Sequence, residues 1–448
     1  MGSLHEVPAQ IWQHSCREKG GGKRRFWDQH ISLDYGAVED TRKGVKVIIP
    51  VTAEAWGELM AAVFRRVGID AELTPPSDAC TLELGSRYTS GDECLPAKIT
   101  VGDFMKYLEQ PGINLAETSL FMPTADGPCR FGMYAPYLRS ALDRHGYSQV
   151  GILSPSSHDS YASLGKLAGP FMRTAWRASV ISDVLEKLRL MTRPYEVDRG
   201  TTDHWYRGSA GYLRETMERG PLRPQAQLQA LQGSLDDCRH TLRRVATRRL
   251  PRPLIGIVGE IFCRLTPFSN QDLIRRLEDA GGEAWLSGFG EWIWYANSEE
   301  RRRLKLQGRS LGFRALVSWM RSTAQKHDER ALLAPFAQDF AARPEPEIEE
   351  VLEAARPYLP QDGAFGEMVL NVGNVFCMAK RGVAGVIDIS PFTCMNGIVS
   401  EAIYPRLSRD LGGLPIRVLY FDGTPLDLES ELGIFLDMAR AYRRRLRV

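Results

Sequence analysis

The sequence predicts an α/β protein built as two open, mainly parallel sheets with helical insertions. Three observations carry this. Short apolar runs of strand type recur along the chain: "VKVIIP" (45–50), "TSLFMP" (118–123), "PLIGIVG" (253–259) and "GVIDIS" (385–390). Amphipathic helical patterns separate them, and strand–helix–strand alternation is the mark of a parallel sheet. Between 168 and 249 the strand signals vanish and charged helical periodicity replaces them, so a helical segment divides two α/β halves.

The elements follow in order. Residues 1–44 are polar and weakly patterned and read as an extension ending near "DTRKG". The first α/β domain spans 45–165. Its strand "VKVIIP" is followed by the helical "AEAWGELMAAVFRRVG", closed by Gly68, and by a second strand beginning "IDAELT". A helix over "VGDFMKYLEQ" (101–110), the strand "TSLFMP", a helix over "YAPYLRSALDRHG" (134–146) and the strand "QVGILSP" complete it. The helical segment, 166–252, is interrupted at "TRPYE" and "RGPLRP", where proline stops a helix. The second α/β domain, 253–448, opens with "PLIGIVG", a helix over "NQDLIRRLEDAG" and the strand "EAWLS". A helical insertion covers about 298–380, and "GVIDIS", "GIVSEAIYPRLSRDLG", "PIRVLYFDG" and "LESELGIFLDMARAYRRRL" close the chain as strand, helix, strand and helix. This order belongs to the flavodoxin- or Rossmann-like class of sheets.

Composition bounds the function. The chain has 448 residues, 43% hydrophobic and 25% charged, with a net charge of +2. That balance gives no reason to expect nucleic acid or an anionic membrane as partner. No apolar run reaches the roughly 18 residues a membrane span needs. The first residues lack the apolar stretch of a secretion signal, so the cytoplasm is the expected location. Eight cysteines are scattered without a C-x-x-C pair, which in a reducing compartment implies free thiols.

Three of these cysteines share one setting. Cys94 lies in the turn-rich "SGDECLPAKITVGD" before a helix, Cys129 in "DGPCRFGMY" after a strand, and Cys394 in "ISPFTCMNG" after another. Ligands bind open α/β sheets outside the carboxyl ends of strands. Pro96, Pro128 and Pro391 stiffen the adjacent backbone. Three such thiolates are suited to a soft metal or an iron–sulfur cluster, and the alternative is three buried or surface thiols. Lys98, Arg130 and Arg193 are candidates to lower nearby thiol pKa values or to balance a cluster's charge, with a plain surface role favoured for Arg193. Cys263 and Cys80 are candidate further ligands. Cys238 and Cys377 fall in helical patterns and read as packing residues, while Cys16 lies in the extension. Glu260 and Asn270 read equally as the polar lining of a cleft or as helix caps. The "GRSLG" at 308–312 follows a charged helix and lacks the strand a nucleophile elbow requires. "GGGKRR" lacks the strand and the Ser or Thr of a P-loop.

The motifs "GDECLPAKITVGDF", "FMPTADGPCRFGMY", "IGIVGEIFCRLTPFSN" and "ISPFTCMNGIVSEAI", in this order, resemble the cysteine module of the 2-hydroxyacyl-CoA dehydratase and activase family, closest to its acyl-CoA dehydratase activase-related members. "SDVLEKLRLMTRPYEVDRG" adds to the resemblance, which spans about 45–425. It implies that Cys94, Cys129 and Cys394 hold a [4Fe–4S] cluster or a larger variant. It implies low-potential electrons from a separate ATP-dependent activase, and reduction or dehydration of a small or CoA-linked substrate. The phosphate motifs of the activating ATPase are missing, so ATP hydrolysis is not expected of this chain. A non-catalytic electron-transfer or scaffold subunit and a zinc-stabilised binding protein remain alternatives, as do homo- and hetero-oligomers. Each of the three cysteines is expected to follow a strand at the ligand-binding edge of a sheet, and all three are expected to converge in space.

Overall fold

A computed structural model describes residues 44–125, 127–155, 168–308, 312–360 and 366–445. The elements of the first half are β1 (Lys46–Ile49), α1 (Glu54–Arg66), β2 (Ala71–Leu73), α2 (Ala79–Tyr88), α3 (Leu95–Leu108), β3 (Thr118–Phe121), α4 (Tyr134–Arg144) and β4 (Gly151–Leu153). Three long helices follow: α5 (Ala168–Thr192), α6 (Thr201–Arg219) and α7 (Pro224–Leu242). The second half contains β5 (Leu254–Gly259), α8 (Ile261–Leu265), α9 (Leu273–Asp279), β6 (Glu283–Leu286), α10 (Phe289–Leu306), α11 (Phe313–Leu333), α12 (Ile348–Ala355), α13 (Glu367–Lys380), β7 (Gly385–Pro391), α14 (Met395–Asp410), β8 (Ile416–Phe421) and α15 (Leu428–Arg445).

Each half carries one four-stranded, all-parallel sheet. The orders are β2-β1-β3-β4 and β6-β5-β7-β8, so the two halves repeat one topology. In both, the strand order reverses between the first and third strands, and a crevice opens at their carboxyl ends. The fully buried run of β7, all seven residues, is what a central parallel strand requires.

The halves share cores. Helices α5, α6 and α7 bury Ile181, Leu185, Leu213 and Leu235 in one cluster with Val47, Ile49 and Phe64 of the first half. Leu95 and Ile99 of α3 pack with Ile255, Ile257 and Ile389 of the second sheet. The loops after β1 and β5 meet directly, because the Thr266 hydroxyl donates to the Thr52 carbonyl at 2.7 Å. Trp56 packs against Phe289 with ring centroids 5.1 Å apart.

Two expectations need correction. The sequence pattern omits α2, which is fixed by a reciprocal cap: Thr81 N donates to the Asp78 carboxylate at 3.1 Å and Asp78 N to the Thr81 hydroxyl at 3.2 Å. In consequence Cys94 follows a helix rather than a strand, and α3 starts at Leu95 rather than Val101. The helical insertion begins at Phe289, and its final member, α13, is the crossover into β7, packed on Val258 and Val386.

Gly259, at the end of β5, has φ 122° and pairs with Ile389 of β7. A Cβ there would lie 2.1 Å from the Ile389 carbonyl oxygen. Backbone cannot move aside as a flexible side chain can. Gly259→Ala is therefore expected to destabilise the protein by about 2–4 kcal/mol, read as a lowered urea midpoint with unchanged slope.

Candidate functional site

The three cysteines occupy one structural position three times. Cys94 precedes α3, Cys129 precedes a 3-10 turn at Arg130–Met133, and Cys394 precedes α14, each with extended backbone as the capping residue. Cys129 follows β3 and Cys394 follows β7, the corresponding third strands of the two sheets. Their backbones are bent into place. Gly127 has φ 133°, and Thr393, directly before Cys394, has φ 66°. A β-branched residue is rarely held in that left-handed region, so the turn at Thr393 is strained.

Short contacts tie the loops together. The Arg130 guanidinium donates to the Asp92 carbonyl at 2.7 Å, fastening the Cys129 turn to the Cys94 turn. Cys94 Sγ and the Tyr134 hydroxyl are 2.7 Å apart, joining α3 to the start of α4. Glu260 acts electrostatically on Cys94, Cys129 and Cys394 alike, and Cys94 also acts on Cys129. All three thiols thus lie within electrostatic reach of the Glu260 carboxyl. No group of three or more His, Cys, Asp or Glu among the described residues is set to hold a single metal ion. Thiols that hold an iron–sulfur cluster stand wider apart than ligands of one ion, because iron and sulfide lie between them.

The electrostatics run opposite to the expected lowering. Cys129 is exposed as a residue and Cys394 half-buried, yet the protein around their thiols desolvates both and pushes them up to about 12, and the carboxyls of Glu260 and Glu367 add to the effect. Burial is also the main cause of the raised Cys94 pKa, with Tyr134 and Arg130 opposing it. Arg193 is not on the surface. It is 7% exposed and clamps Glu278 through two nitrogens at 2.6 and 3.0 Å. Lys98 acts on Asp422.

The remaining candidates separate cleanly. Glu260 caps α8, accepting from Phe262 N at 3.1 Å and Cys263 N at 2.8 Å, and it also faces the thiol group. Asn270 holds α9, its amide oxygen accepting from Leu273 N at 3.1 Å. Cys263 is fully buried within the second sheet's core, and Cys238 and Cys377 are buried in α7 and α13. Cys80 is exposed on α2. Cys16, "GGGKRR" and positions 309–311 of "GRSLG" lie outside the described residues.

Sequence reasoning missed Glu367 and Arg264. Glu367 opens α13 and accepts from Ile261 N at 2.8 Å, with a carboxyl pushed up to about 8 by burial and by Glu260. Arg264, 1% exposed, donates to the carbonyls of Gly259 and Gly288 at 3.2 Å each. Arg264 also lines a cavity of about 640 Å³. The only local signal for Arg264 was its place in "EIFCRLTP", shared with Glu260 and Cys263.

No family model and no curated protein matches the chain. Among the described residues no helix is long and apolar enough to cross a membrane.

Two outcomes follow from these charges. In folded protein at pH 8, iodoacetamide should label Cys80 before Cys129 and Cys394. Cys129 and Cys394 should react at least about tenfold slower than in urea, because only thiolates attack. Peptide mapping reads this, and equal rates at Cys80 and Cys129 would refute it. Glu367 ionises at about 8 folded against 4.5 unfolded. Folding therefore gains from its proton below 4.5 and loses that gain as pH rises through 8. Melting temperature should fall across that window, and Glu367→Gln should flatten the fall.

Proposed function

We propose that the chain is an iron–sulfur protein in which Cys94, Cys129 and Cys394 hold a [4Fe–4S]-type cluster. It takes low-potential electrons from a separate ATP-dependent activator and supports reduction or dehydration of a small or CoA-linked substrate. The observation that carries this reading is the threefold recurrence of a capping cysteine within electrostatic reach of Glu260. Thiols raised so far do not persist as thiolates beside two carboxyls unless positive charge lies between them, and ferric and ferrous iron supply it. When bound, the cluster supplies one-electron transfer and an iron open to an oxygen ligand.

The chain's own groups have defined tasks. Backbone N–H groups at the starts of α3 and α14 favour negative sulfur. The phenol of Tyr134 fixes Cys94 Sγ. Burial disfavours the charged forms of Glu260 and Glu367 and raises both carboxyls. Met133, Phe392, Met395 and Ile398 are exposed next to Cys129 and Cys394. Apolar side chains grouped this way suit the docking of a protein partner. A non-catalytic electron-transfer subunit uses the same geometry and differs only in lacking turnover.

Anaerobic purification with iron and sulfide analysis tests the reading. Iron and sulfide should be present together, with a visible absorption band that bleaches on reduction. Zinc in place of iron would establish the zinc-stabilised alternative. Cys129→Ser should lose iron while keeping the fold, since Cys129 sits on an exposed turn and oxygen is a harder ligand than sulfur. Cys377→Ser buries a hydroxyl in α13 and should cost about 1–3 kcal/mol while iron per folded molecule holds. The reverse pattern would exchange the ligand and core assignments.

A further inference from the structure

Helix α11 packs inward through its polar side. Phe313, Leu316, Val317 and Met320 recur at the i, i+3, i+4 and i+7 spacing that in most helices faces a core. They are 80, 53, 42 and 57% exposed, and Trp319 beside them is 63% exposed. Leu306, at the end of α10, is 70% exposed. The residues α11 buries along this stretch are Ser318, Ser322 and Gln325.

Hydrogen bonds to α10 hold that rotation. The Ser318 hydroxyl donates to the Glu300 carboxylate at 2.8 Å, the Arg301 guanidinium to the Ser322 hydroxyl at 3.2 Å, and the Asn297 amide to the Gln325 amide oxygen at 2.9 Å. Arg321 also bonds Glu300. Turning α11 to bury its apolar stripe would break these bonds and leave their groups unpaired, so the stripe is fixed outward. An exposed apolar surface of this extent marks an interaction site.

Charge sets the kind of partner. From Arg301 to Lys326 the sequence has eight lysines and arginines and no aspartate or glutamate, which the net charge of +2 for the whole chain conceals. Arg301, Arg302, Arg321 and Lys326 pair with glutamates. Lys305 and Arg314 are exposed and have no acidic partner among the described residues. From Phe313 to Met320 the exposed side chains are apolar, with Arg314 as their one polar member. A protein interface of ordinary size is knit by roughly ten hydrogen bonds from varied polar groups, and this face offers a single guanidinium. Apolar and aromatic side chains flanked by cations suit a bilayer with anionic head groups, which needs no matched polar partners.

We propose that the outward face of α11, with Leu306 of α10, docks on an anionic phospholipid surface. Its apolar side chains enter the boundary between head groups and acyl chains, and Lys305 and Arg314 meet the anionic head groups. The helix lies on the membrane: among the described residues no helix is long and apolar enough to cross one. No residue of this face is a proposed cluster ligand, so the inference stands apart from the iron–sulfur reading.

Flotation of the full chain with vesicles tests it. The probes are vesicles of phosphatidylcholine alone and of phosphatidylcholine with about one-third phosphatidylserine. The anionic vesicles should bind the chain at least about tenfold more tightly, and that binding should weaken as salt rises from about 0.1 M to about 0.5 M. Phe313→Ser and Trp319→Ser should each weaken binding at least about fivefold. Lys305→Gln combined with Arg314→Gln should weaken binding to the anionic vesicles at least about tenfold. All four positions are exposed, so each variant should keep the fold, which circular dichroism checks. Should a serine variant fail to fold, the double glutamine variant decides the site. No flotation, equal flotation with both vesicles, or flotation untouched by these substitutions would overturn the proposal. So would self-association in place of vesicle binding, seen by sedimentation velocity and abolished by Trp319→Ser, which would assign the face to a second copy of the chain.

Discussion

A single buried guanidinium holds the centre of this molecule. Arg264 opposes the raised pKa values of five carboxyl groups: Asp183, Glu260, Glu291, Glu367 and Asp388. One cation cannot neutralise five acids, so burial keeps part of that set protonated. Its two carbonyl acceptors lie at the end of β5 and just before α10, so the same side chain also fixes backbone. Removing one partner from a buried ionic group leaves the others without compensation, which is why such a residue governs more than its own contacts. The same side chain lines the cavity.

The thiols show how competing electrostatic effects are decided by magnitude. A helix start offers roughly half a positive charge. Cys394 sits at such a start, yet burial and the two nearby carboxyls outweigh it and its thiol rises, as does that of Cys129 before its 3-10 turn. The site is unfavourable to bare thiolates. The strained turn at Thr393 fits the same picture, since strain persists only where the surrounding structure over-determines the backbone.

Repetition explains the layout. Two sheets of one strand order place Cys129 and Cys394 after equivalent strands, and Glu260 after the first strand of its sheet. Cys94 breaks the symmetry. It comes from the turn between α2 and α3, brought in because α3 packs on the second sheet through Leu95 and Ile99. Its position depends on contact between the halves, not on the strand pattern of either one.

The sequence by itself determined the strands, the parallel class and the three long central helices, because apolar periodicity and proline stops act over a few residues. It also singled out Cys94, Cys129, Cys394 and Glu260, since loops after strands and before helices are legible in local composition. It missed α2, whose reciprocal cap runs through Thr81 rather than a glutamate or glutamine. Only the tertiary structure decided that Glu367 and Arg264 belong with Glu260, that Arg193 serves Glu278, and that the thiols are raised. Those properties arise from desolvation and from charges more than a hundred residues apart in the chain, as Glu260 and Glu367 are. No local pattern encodes them, because burial is a property of the packed whole.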